Sequence, residues 1–246
     1  MLAFLEGLAG IRLHSLGPFQ RTGREYYLPR CIINGPNSSD PIRIGIFAGI
    51  HGDEPAGPLA AVQFLRALVD RPEIAESYCL HCYPFCNPSG FEDNSRFARG
   101  GPDLNRCFWK DSTEPEVRLI EAELRQYHFH GLIQLHADDT SDGVYGFVRG
   151  ATLSEHLLKP ALAAAGEILP RNVSAMIDGF AAKDGIIYDA YEGILAAPAK
   201  LDPAPFEIIL ETPHHAPMEK QVQALVVSMT KVLEEYRRLI AFAANL

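Results

Sequence analysis

The sequence has little of what a membrane or a nucleic-acid partner would require. No apolar run approaches the length that crosses a bilayer. Basic residues are outnumbered, since 22 Lys and Arg stand against 31 Asp and Glu and give a formal net charge of −9. Nucleic acids and anionic membrane surfaces attract clustered Lys and Arg. We therefore expect neither a nucleic acid nor a membrane among the partners of this protein.

Features of secreted proteins are also missing. Residues 1–16 have no basic segment before their apolar run, and Glu6 interrupts that run, so they do not resemble a secretory signal. The five cysteines are an odd number, which favours free thiols over a disulfide framework. Cys79, Cys82 and Cys86 lie in an aromatic and apolar stretch and lack the second Cys pair of a zinc ribbon. We predict a cytoplasmic protein with free thiols, in which the run of Cys79, Cys82 and Cys86 is buried and structural.

Several familiar catalytic motifs are absent from the chain. It contains no H-E-x-x-H pair, no G-x-S-x-G elbow, no Walker loop and no glycine fingerprint for a dinucleotide. These absences argue against the enzyme classes that depend on such motifs. Any chemistry must therefore come from residues in other patterns.

Strand and helix patterns alternate along the 246 residues, with no linker that would separate two domains. The apolar run from Ile42 to Ile50 is typical of a central strand buried on both faces. We predict further strands at Tyr78–Phe85, Gly131–Leu135, Val144–Val148 and Phe206–Leu210, and helices at Glu54–Leu68, Thr113–His128, Leu153–Ile168 and Met218–Ala244. The whole chain, residues 1–246, is predicted to be one α/β domain with a mixed, mostly parallel sheet and helices on both faces.

A histidine and a carboxylate follow the first central strand. His51 and Glu54 are three residues apart at a strand-to-helix turn, so both side chains can reach one ion. His136 follows the predicted strand Gly131–Leu135, and the carboxyl ends of parallel strands meet at one edge of a sheet. A catalytic zinc site uses three such ligands and leaves a position open for water. The sequence therefore predicts one metal ion per chain, held by His51, Glu54 and His136, although His and carboxylate ligands also accept nickel, cobalt or manganese.

Further short motifs appear in a fixed order, and together they carry a family resemblance. The chain has His51-x-x-Glu54, Asn87-Pro88-x-Gly90, Asp103-Leu104-Asn105-Arg106, His136 and a late Glu211. This order resembles the zinc carboxypeptidase superfamily, which includes succinylglutamate desuccinylase and aspartoacylase. The resemblance implies a carboxypeptidase-like (phosphorylase/hydrolase-like) fold and a Zn²⁺ cofactor on the three ligands above.

The resemblance also implies roles for residues around the metal. Asp103 is expected to support the His51 ring. Asn105 and Arg106 are expected to bind a substrate carboxylate, which suits the two-pronged guanidinium group. Arg96, whose spacing fits better than that of Arg99, is expected to stabilise the oxyanion.

Glu211, at the end of the last predicted strand, is expected to be the general base that takes a proton from water and then protonates the leaving amine. Glu207 is the less attractive carboxylate on that strand. A tyrosine from the preceding loop is expected to cover the substrate; Tyr188 is preferred over Tyr191, with packing as the alternative role. His214 and His215, just after Glu211, could be pocket residues, but a solvated turn is the preferred expectation.

The resemblance leaves more than one function open. A carboxypeptidase that acts on a small peptide is the first expectation, and a deacylase that acts on an N-acyl amino acid is the alternative. A third possibility is a module that binds a carboxylate without turnover. The chain departs from many family members at Cys107, where they have a second Asn, and the short span between Glu54 and His136 favours small substrates. The sequence does not indicate an oligomeric state.

Overall fold

A ten-stranded mixed sheet runs through the protein in its computed structural model, which describes residues 10–37 and 40–243. Part of the stretch used to judge a secretory signal, residues 1–9, and Ala244, the predicted end of the last helix, lie outside the described residues. The strands are β1 (Ile11–Arg21), β2 (Arg24–Asn34), β3 (Ile42–Ala48), β4 (Tyr78–Tyr83), β5 (Gly131–Asp138), β6 (Tyr145–Gly150), β7 (Met176–Ile177), β8 (Phe180–Lys183), β9 (Ile186–Ile187) and β10 (Phe206–Pro213).

The centre of the sheet is parallel and its flanks are largely antiparallel. The strand order is β1-β2-β4-β3-β5-β10-β6-β9-β8-β7, and β4, β3, β5 and β10 pair in parallel. The β1–β2 hairpin joins one side through antiparallel pairing of β2 with β4, while β6 pairs antiparallel with β10 on the other. The predicted mixed sheet is confirmed. The hairpin was not predicted, because β1 alternates exposed and partly buried residues and has no continuous apolar run.

Helices cover both faces of the sheet, as predicted. They are α1 (Ala56–Asp70), α2 (Pro88–Asp93), α3 (Pro115–Tyr127), α4 (Leu153–Ala165) and α5 (Met218–Ala243). Side chains of α1, α4 and α5 share one buried cluster with the sheet, whereas Val117, Ile120 and Leu124 of α3 belong to a second. None of the described helices combines the length and apolar character needed to cross a bilayer.

Strand β3 shows how the two cores share one strand. Ile44 and Ile46 are fully buried against the helices of the first cluster, while Phe47 points to the other face and stacks on Tyr83 with ring centroids 4.6 Å apart. Successive side chains of a strand alternate between faces, so an unbroken apolar run fills both cores. Each buried side chain of this size contributes about 1.5–3 kcal/mol relative to an exposed one.

The cysteines of the chain are free, and Cys79, Cys82 and Cys86 are buried. Burial raises the pKa of the Cys86 thiol to about 12, which makes it a poor metal ligand. The structural role predicted for this cysteine run is consistent with these surroundings.

The carboxyl ends of β3, β5 and β10 meet at one edge of the sheet. The strands β5 and β10 continue to Asp138 and Pro213, further than predicted, because their backbones remain paired to those residues. As a result His136 and Glu211 lie within strands and not after them. The regular strand backbone fixes the direction of both side chains.

Candidate active site

The three predicted metal ligands converge at this edge. Nδ1 of His51 lies 2.5 Å from one oxygen of Glu54, and Nδ1 of His136 lies 2.9 Å from the other. The backbone N–H of Ala137 donates a hydrogen bond, at 3.0 Å, to the Glu54 oxygen that His136 also contacts. The Glu54 carboxylate therefore lies between two imidazole rings, and all three side chains are buried.

The donor set fits a zinc ion. Three possible ligand atoms, one each from His51, Glu54 and His136, lie within 4.8 Å of one another. Two imidazole nitrogens and a carboxylate oxygen are the ligands of catalytic zinc sites, in which a fourth position stays open. The buried triad is thus consistent with a metal site typical of zinc hydrolases.

Electrostatics in the triad follow from the buried carboxylate. Burial alone would lower the pKa of His51, but the carboxylates of Glu54 and Asp103 outweigh it and raise that pKa to about 9. Burial would raise the pKa of Glu54, and the two imidazoles bring it well below its usual range. Burial lowers the pKa of His136. An anionic carboxylate at the centre of the triad is the form that binds a cation.

The loop that carries His51 approaches helix α2 closely. A Cβ added at Gly52 would lie 1.9 Å from the carbonyl carbon of Gly90, so only glycine fits at this position. The Asn87 side chain caps α2 by accepting a hydrogen bond from the Gly90 N–H at 2.9 Å, and its Nδ2 donates to Ile50 O at 3.3 Å. The Asn-Pro-x-Gly motif therefore supports the metal loop.

Asp103 contacts His51 as predicted. Its Oδ1 lies 3.1 Å from Nε2 of His51, and its Oδ2 accepts a hydrogen bond from Nε of Arg96 at 3.0 Å. Burial would raise the pKa of Asp103, but His51 and the arginines lower it well below its usual range. An ionised Asp103 orients the His51 ring so that Nδ1 faces Glu54.

Arg96 reaches the triad from the other side. Its guanidinium lies 3.6 Å from a Glu54 oxygen and is hydrogen-bonded to Asp103, which leaves it partly exposed to the cavity. Arg99, the less favoured arginine, lies elsewhere and pairs with Asp93 and Glu92. The structure thus places Arg96 and not Arg99 at the metal site.

Asn105 and Arg106 line the same cavity. Asn105 is buried, and its Oδ1 accepts a hydrogen bond from Leu195 N–H at 2.8 Å. Arg106 donates to the Asn105 carbonyl oxygen at 2.8 Å, and its guanidinium lies 4.2 Å from the centroid of the Tyr191 ring. No described carboxylate is within ion-pair distance of Arg106, so its charge is available to a ligand.

Tyr188, the preferred tyrosine, does not lie in this cavity. It directly follows strand β9, is half exposed and lines other surface depressions of the protein. Tyr191 lines the cavity instead, and its hydroxyl donates to Asp178 at 2.9 Å. The preference for Tyr188 is therefore corrected: both tyrosines fit the sequence interval, but only Tyr191 lines the cavity.

Glu211 lies beside the triad on β10, opposite His136 of β5 in the register. Its side chain lines the cavity. Burial raises its pKa well above the usual range, and the negative charges of Glu54, Asp138 and Asp178 add to that effect. Glu207 is on the same face of β10 as Glu211 but four residues before it, outside the cavity, and it accepts a hydrogen bond from Ala197 N–H at 3.2 Å.

The cavity has a volume of about 370 Å³ and includes residues that the sequence did not single out. These are Asp138, Tyr145, Phe147, Asp178, Ile194 and Ile209. For two of them, the alternation of side chains along a strand could have predicted a place in the cavity. Asp138 is two residues after His136 and Ile209 is two before Glu211, so each shares a face with a predicted site residue. His214 is exposed in the turn after β10, as expected, and also lines the cavity, with Nε2 2.9 Å from Asp53 O.

Comparison with protein families supports the resemblance. Residues 41–179, more than half of the chain, match the model of the succinylglutamate desuccinylase/aspartoacylase catalytic domain. The matched segment contains His51, Glu54, Asn105, Arg106 and His136, and Glu211 lies beyond it. No curated protein sequence matches the chain.

Solved structures share the fold over nearly the whole chain. A provisionally named metallopeptidase from Shewanella denitrificans OS217 is 25% identical, with a TM-score of 0.75 and coverage of 94% of this chain and 86% of its own. A metallo-carboxypeptidase from Burkholderia cenocepacia is 16% identical, with a TM-score of 0.72 and coverage of 97% and 68%. A succinylglutamate desuccinylase/aspartoacylase from Rhodobacter sphaeroides is 16% identical, with a TM-score of 0.63 and coverage of 91% and 64%. The predicted carboxypeptidase-like fold is confirmed.

Proposed function

Because the chain belongs to the succinylglutamate desuccinylase/aspartoacylase catalytic-domain family, we propose that it is a zinc-dependent hydrolase that cleaves an amide bond next to a free carboxylate. One observation carries this proposal. The buried His51, Glu54 and His136 share a single cavity with a carboxylate, Glu211, and with Arg106, an arginine that has no ion-pair partner among the described residues. Amide hydrolysis next to a carboxylate needs each of these parts.

The metal would be held by His51, Glu54 and His136. Asp103 holds the His51 ring in place through Nε2, which leaves Nδ1 for the ion. When bound, zinc polarises a carbonyl group and makes water more acidic.

Glu211 is the proposed general base. Its carboxylate takes a proton from the attacking water and delivers that proton to the nitrogen of the leaving amine. The buried setting supports this cycle, because burial and neighbouring carboxylates stabilise the protonated form of Glu211 between the two transfers. A solvated carboxylate would lose the proton to water.

Two arginines divide the charges of the substrate between them. Arg96, next to Glu54, is placed to stabilise the negative charge that develops on the carbonyl oxygen. Arg106 is placed to bind the free carboxylate through its guanidinium fork. Asn105 assists there with its Nδ2 donor, since its Oδ1 is occupied by Leu195 N–H.

The substrate would be a small peptide or an N-acyl amino acid. A cavity of about 370 Å³ is at the small end of the range for ligand sites and has little room for a long peptide. The family match favours the deacylase alternative, whereas the fold shared with carboxypeptidases is equally compatible with peptides. A module that binds a carboxylate without turnover is the third candidate, and the presence of Glu211 beside the metal ligands speaks against it.

The test combines zinc content with turnover. Purified protein, loaded with one equivalent of zinc, is assayed against paired substrates that differ only in the acyl part, such as N-acetyl-leucine and the dipeptide alanyl-leucine. We expect turnover that is lost on chelation and restored by zinc. The ratio of the two rates separates deacylase from peptidase. Zinc binding without turnover of any substrate in the panel would favour the silent module.

A further inference from the structure

One wall of the cavity is apolar and lies next to Glu211. On strand β10, Ile209 is two residues before Glu211 and shares its face, and Phe147 of β6 is the direct register partner of Ile209. Ile194, from the loop before β10, completes the wall, and all three side chains are buried. Residues of a strand rise about 3.3 Å each, so the wall begins roughly 7 Å from Glu211. We call Phe147, Ile194 and Ile209 the side-chain pocket.

The side-chain pocket is fixed relative to the carboxylate-binding residues. Leu195, next to Ile194, donates its N–H to Asn105 Oδ1 at 2.8 Å and accepts a hydrogen bond from Gln134 Nε2 at 2.9 Å. Asn105 adjoins Arg106 in sequence and in the cavity. A ligand whose carboxylate is bound at Arg106 therefore meets the side-chain pocket at a distance set by these hydrogen bonds.

The cavity has one free place for a carboxylate. Arg96 and Arg106 are the two arginines among the described residues that line it. Arg96 is already paired with Asp103 and lies close to Glu54, whereas Arg106 has no carboxylate partner in the described structure. A dicarboxylate substrate would need a second unpaired cation, and none lines the cavity in the described part of the chain.

Negative charge at the cavity disfavours an acidic side chain further. Asp138 accepts a hydrogen bond from the Tyr145 hydroxyl at 2.9 Å, and Asp178 accepts one from the Tyr191 hydroxyl at 2.9 Å. Both carboxylates line the cavity together with Glu211. Like charges brought together in a site from which water is excluded repel strongly, so a second substrate carboxylate would be rejected.

We propose that the side-chain pocket selects substrates whose carboxylate-bearing residue has an uncharged apolar side chain, such as leucine or phenylalanine, and rejects aspartate and glutamate. The apolar wall supplies the attraction, and the single unpaired arginine and the carboxylates supply the discrimination. This inference rests on the proposed function, since it concerns the other end of the same substrate. The apolar residue that we propose differs from the acidic residues named in the family's description.

The first experiment compares kcat/KM of the zinc-loaded protein for N-acetyl derivatives of leucine, phenylalanine, aspartate, glutamate and lysine, with the corresponding alanyl dipeptides in parallel. In whichever series is turned over, we expect kcat/KM for the leucine and phenylalanine substrates to be at least about tenfold higher than for the aspartate and glutamate substrates. A difference of one or two groups in an apolar pocket changes kcat/KM by about 10–200-fold. Equal rates, or a preference for an acidic residue or for lysine, would overturn the proposal.

Two variants in adjacent positions locate the selectivity. Ile209→Ala should lower kcat/KM for N-acetyl-leucine about tenfold more than that for N-acetyl-glycine, so the leucine-to-glycine ratio falls. Ile208→Ala is the matched control, because Ile208 is equally buried on the opposite face of β10 and packs in the other core. The leucine-to-glycine ratio of kcat/KM for Ile208→Ala should equal that of the wild type. Ile209→Val replaces Ile209→Ala if the latter does not fold, with a smaller fall expected in the same direction.

Product binding separates this inference from the proposed function. Calorimetric titration of the zinc-loaded protein with L-leucine and L-aspartate requires no turnover. Tighter binding of leucine, by about tenfold or more, supports the side-chain pocket even if every substrate is inert, in which case the proposed function alone fails. Turnover accompanied by tighter binding of aspartate overturns the side-chain pocket and leaves the proposed function standing.

Discussion

Glu211 and His136 are direct partners in the parallel pairing of β10 with β5. Neighbouring strands are about 4.8 Å apart, and paired residues of a parallel ladder share a face, so the proposed base and a metal ligand lie side by side without any loop between them. Both side chains line the same cavity. Their relative position is therefore fixed by backbone hydrogen bonds of the sheet.

Metal retention should depend on both histidines of the triad. We expect wild-type protein to hold about one zinc per chain and His51→Ala or His136→Ala to lose it, because two remaining donors do not make a closed site. Elemental analysis after dialysis measures the content. His156→Ala, at an exposed position of α4, is the control and should retain wild-type zinc. Zinc that survives both triad substitutions would place the metal elsewhere.

Glu211→Gln should separate catalysis from metal binding. The amide keeps the size of the side chain but cannot accept the proton, so kcat should fall by about 10²–10⁴-fold. Zinc content should be unchanged, since Glu211 is not one of the three donors. Steady-state kinetics and elemental analysis on the same preparation check both statements. Retained kcat would remove Glu211 from the mechanism.

Arg106→Ala should act through the substrate carboxylate. KM is expected to rise strongly for a substrate with a free carboxylate, because a charge-assisted, two-pronged contact is lost. Arg106→Lys should recover only part of that loss, since an ammonium group lacks the fork. A carboxamide analogue of the substrate provides the comparison. If Arg106→Ala weakened the analogue as much as the acid, Arg106 would not be the carboxylate site.

His81 should make the protein less stable in mild acid. It is buried against Tyr127 and Phe129, and burial with nearby arginines lowers its pKa from 6.5 to about 4. The unfolded chain then binds more protons than the folded one between these pH values, so the stability present above pH 6.5 is lost progressively as the pH falls to about 4. The loss is at most about 3.5 kcal/mol, from about 1.4 kcal/mol per pKa unit.

Urea unfolding of wild type and His81→Phe at pH 7 and pH 5 measures this effect. The variant keeps an aromatic ring but does not titrate, so its stability should fall less between the two pH values. Contributions of the metal site cancel in the difference between the proteins. An equal fall in both would assign the acid sensitivity to other groups.

Gly52→Ala should damage the metal site through the backbone. The added Cβ would overlap the Gly90 carbonyl, and relief requires the metal loop or α2 to move. We expect a loss of about 3 kcal/mol in unfolding free energy together with weaker zinc binding. Gly166→Ala is the control, because its Cβ would meet nothing closer than 3.1 Å. Wild-type zinc affinity in Gly52→Ala would show that the loop tolerates displacement.

Continuous apolar runs explain how much of the fold could be predicted. The central strands β3, β5 and β10 are buried on both faces, so their sequences stand out, and the site residues at their carboxyl ends follow from parallel pairing. Helix α3 was located closely because Pro115 marks its first turn. The short strands β7, β8 and β9 were missed, because two to four residues give no usable periodicity.

The substrate side of the cavity was harder to predict than the metal side. The choice between Tyr188 and Tyr191 depended on the path of an irregular loop, which no spacing rule gives. Asp178 enters the cavity from the turn between β7 and β8, a hairpin that was not predicted. Residues on regular strands could be placed from sequence, and residues on irregular connections could not.

The position of β10 has a consequence for how the site forms during synthesis. All three metal ligands lie before residue 137, but the strand that carries Glu211 inserts between β5 and β6, both of which precede it in the chain. Chains emerge from the ribosome amino end first. A nascent chain that has only reached α4 therefore has its complete set of metal donors but no proton acceptor beside them, and the central strand that joins the two halves of the sheet is still missing. The proposed general base is therefore synthesised after all three candidate metal donors.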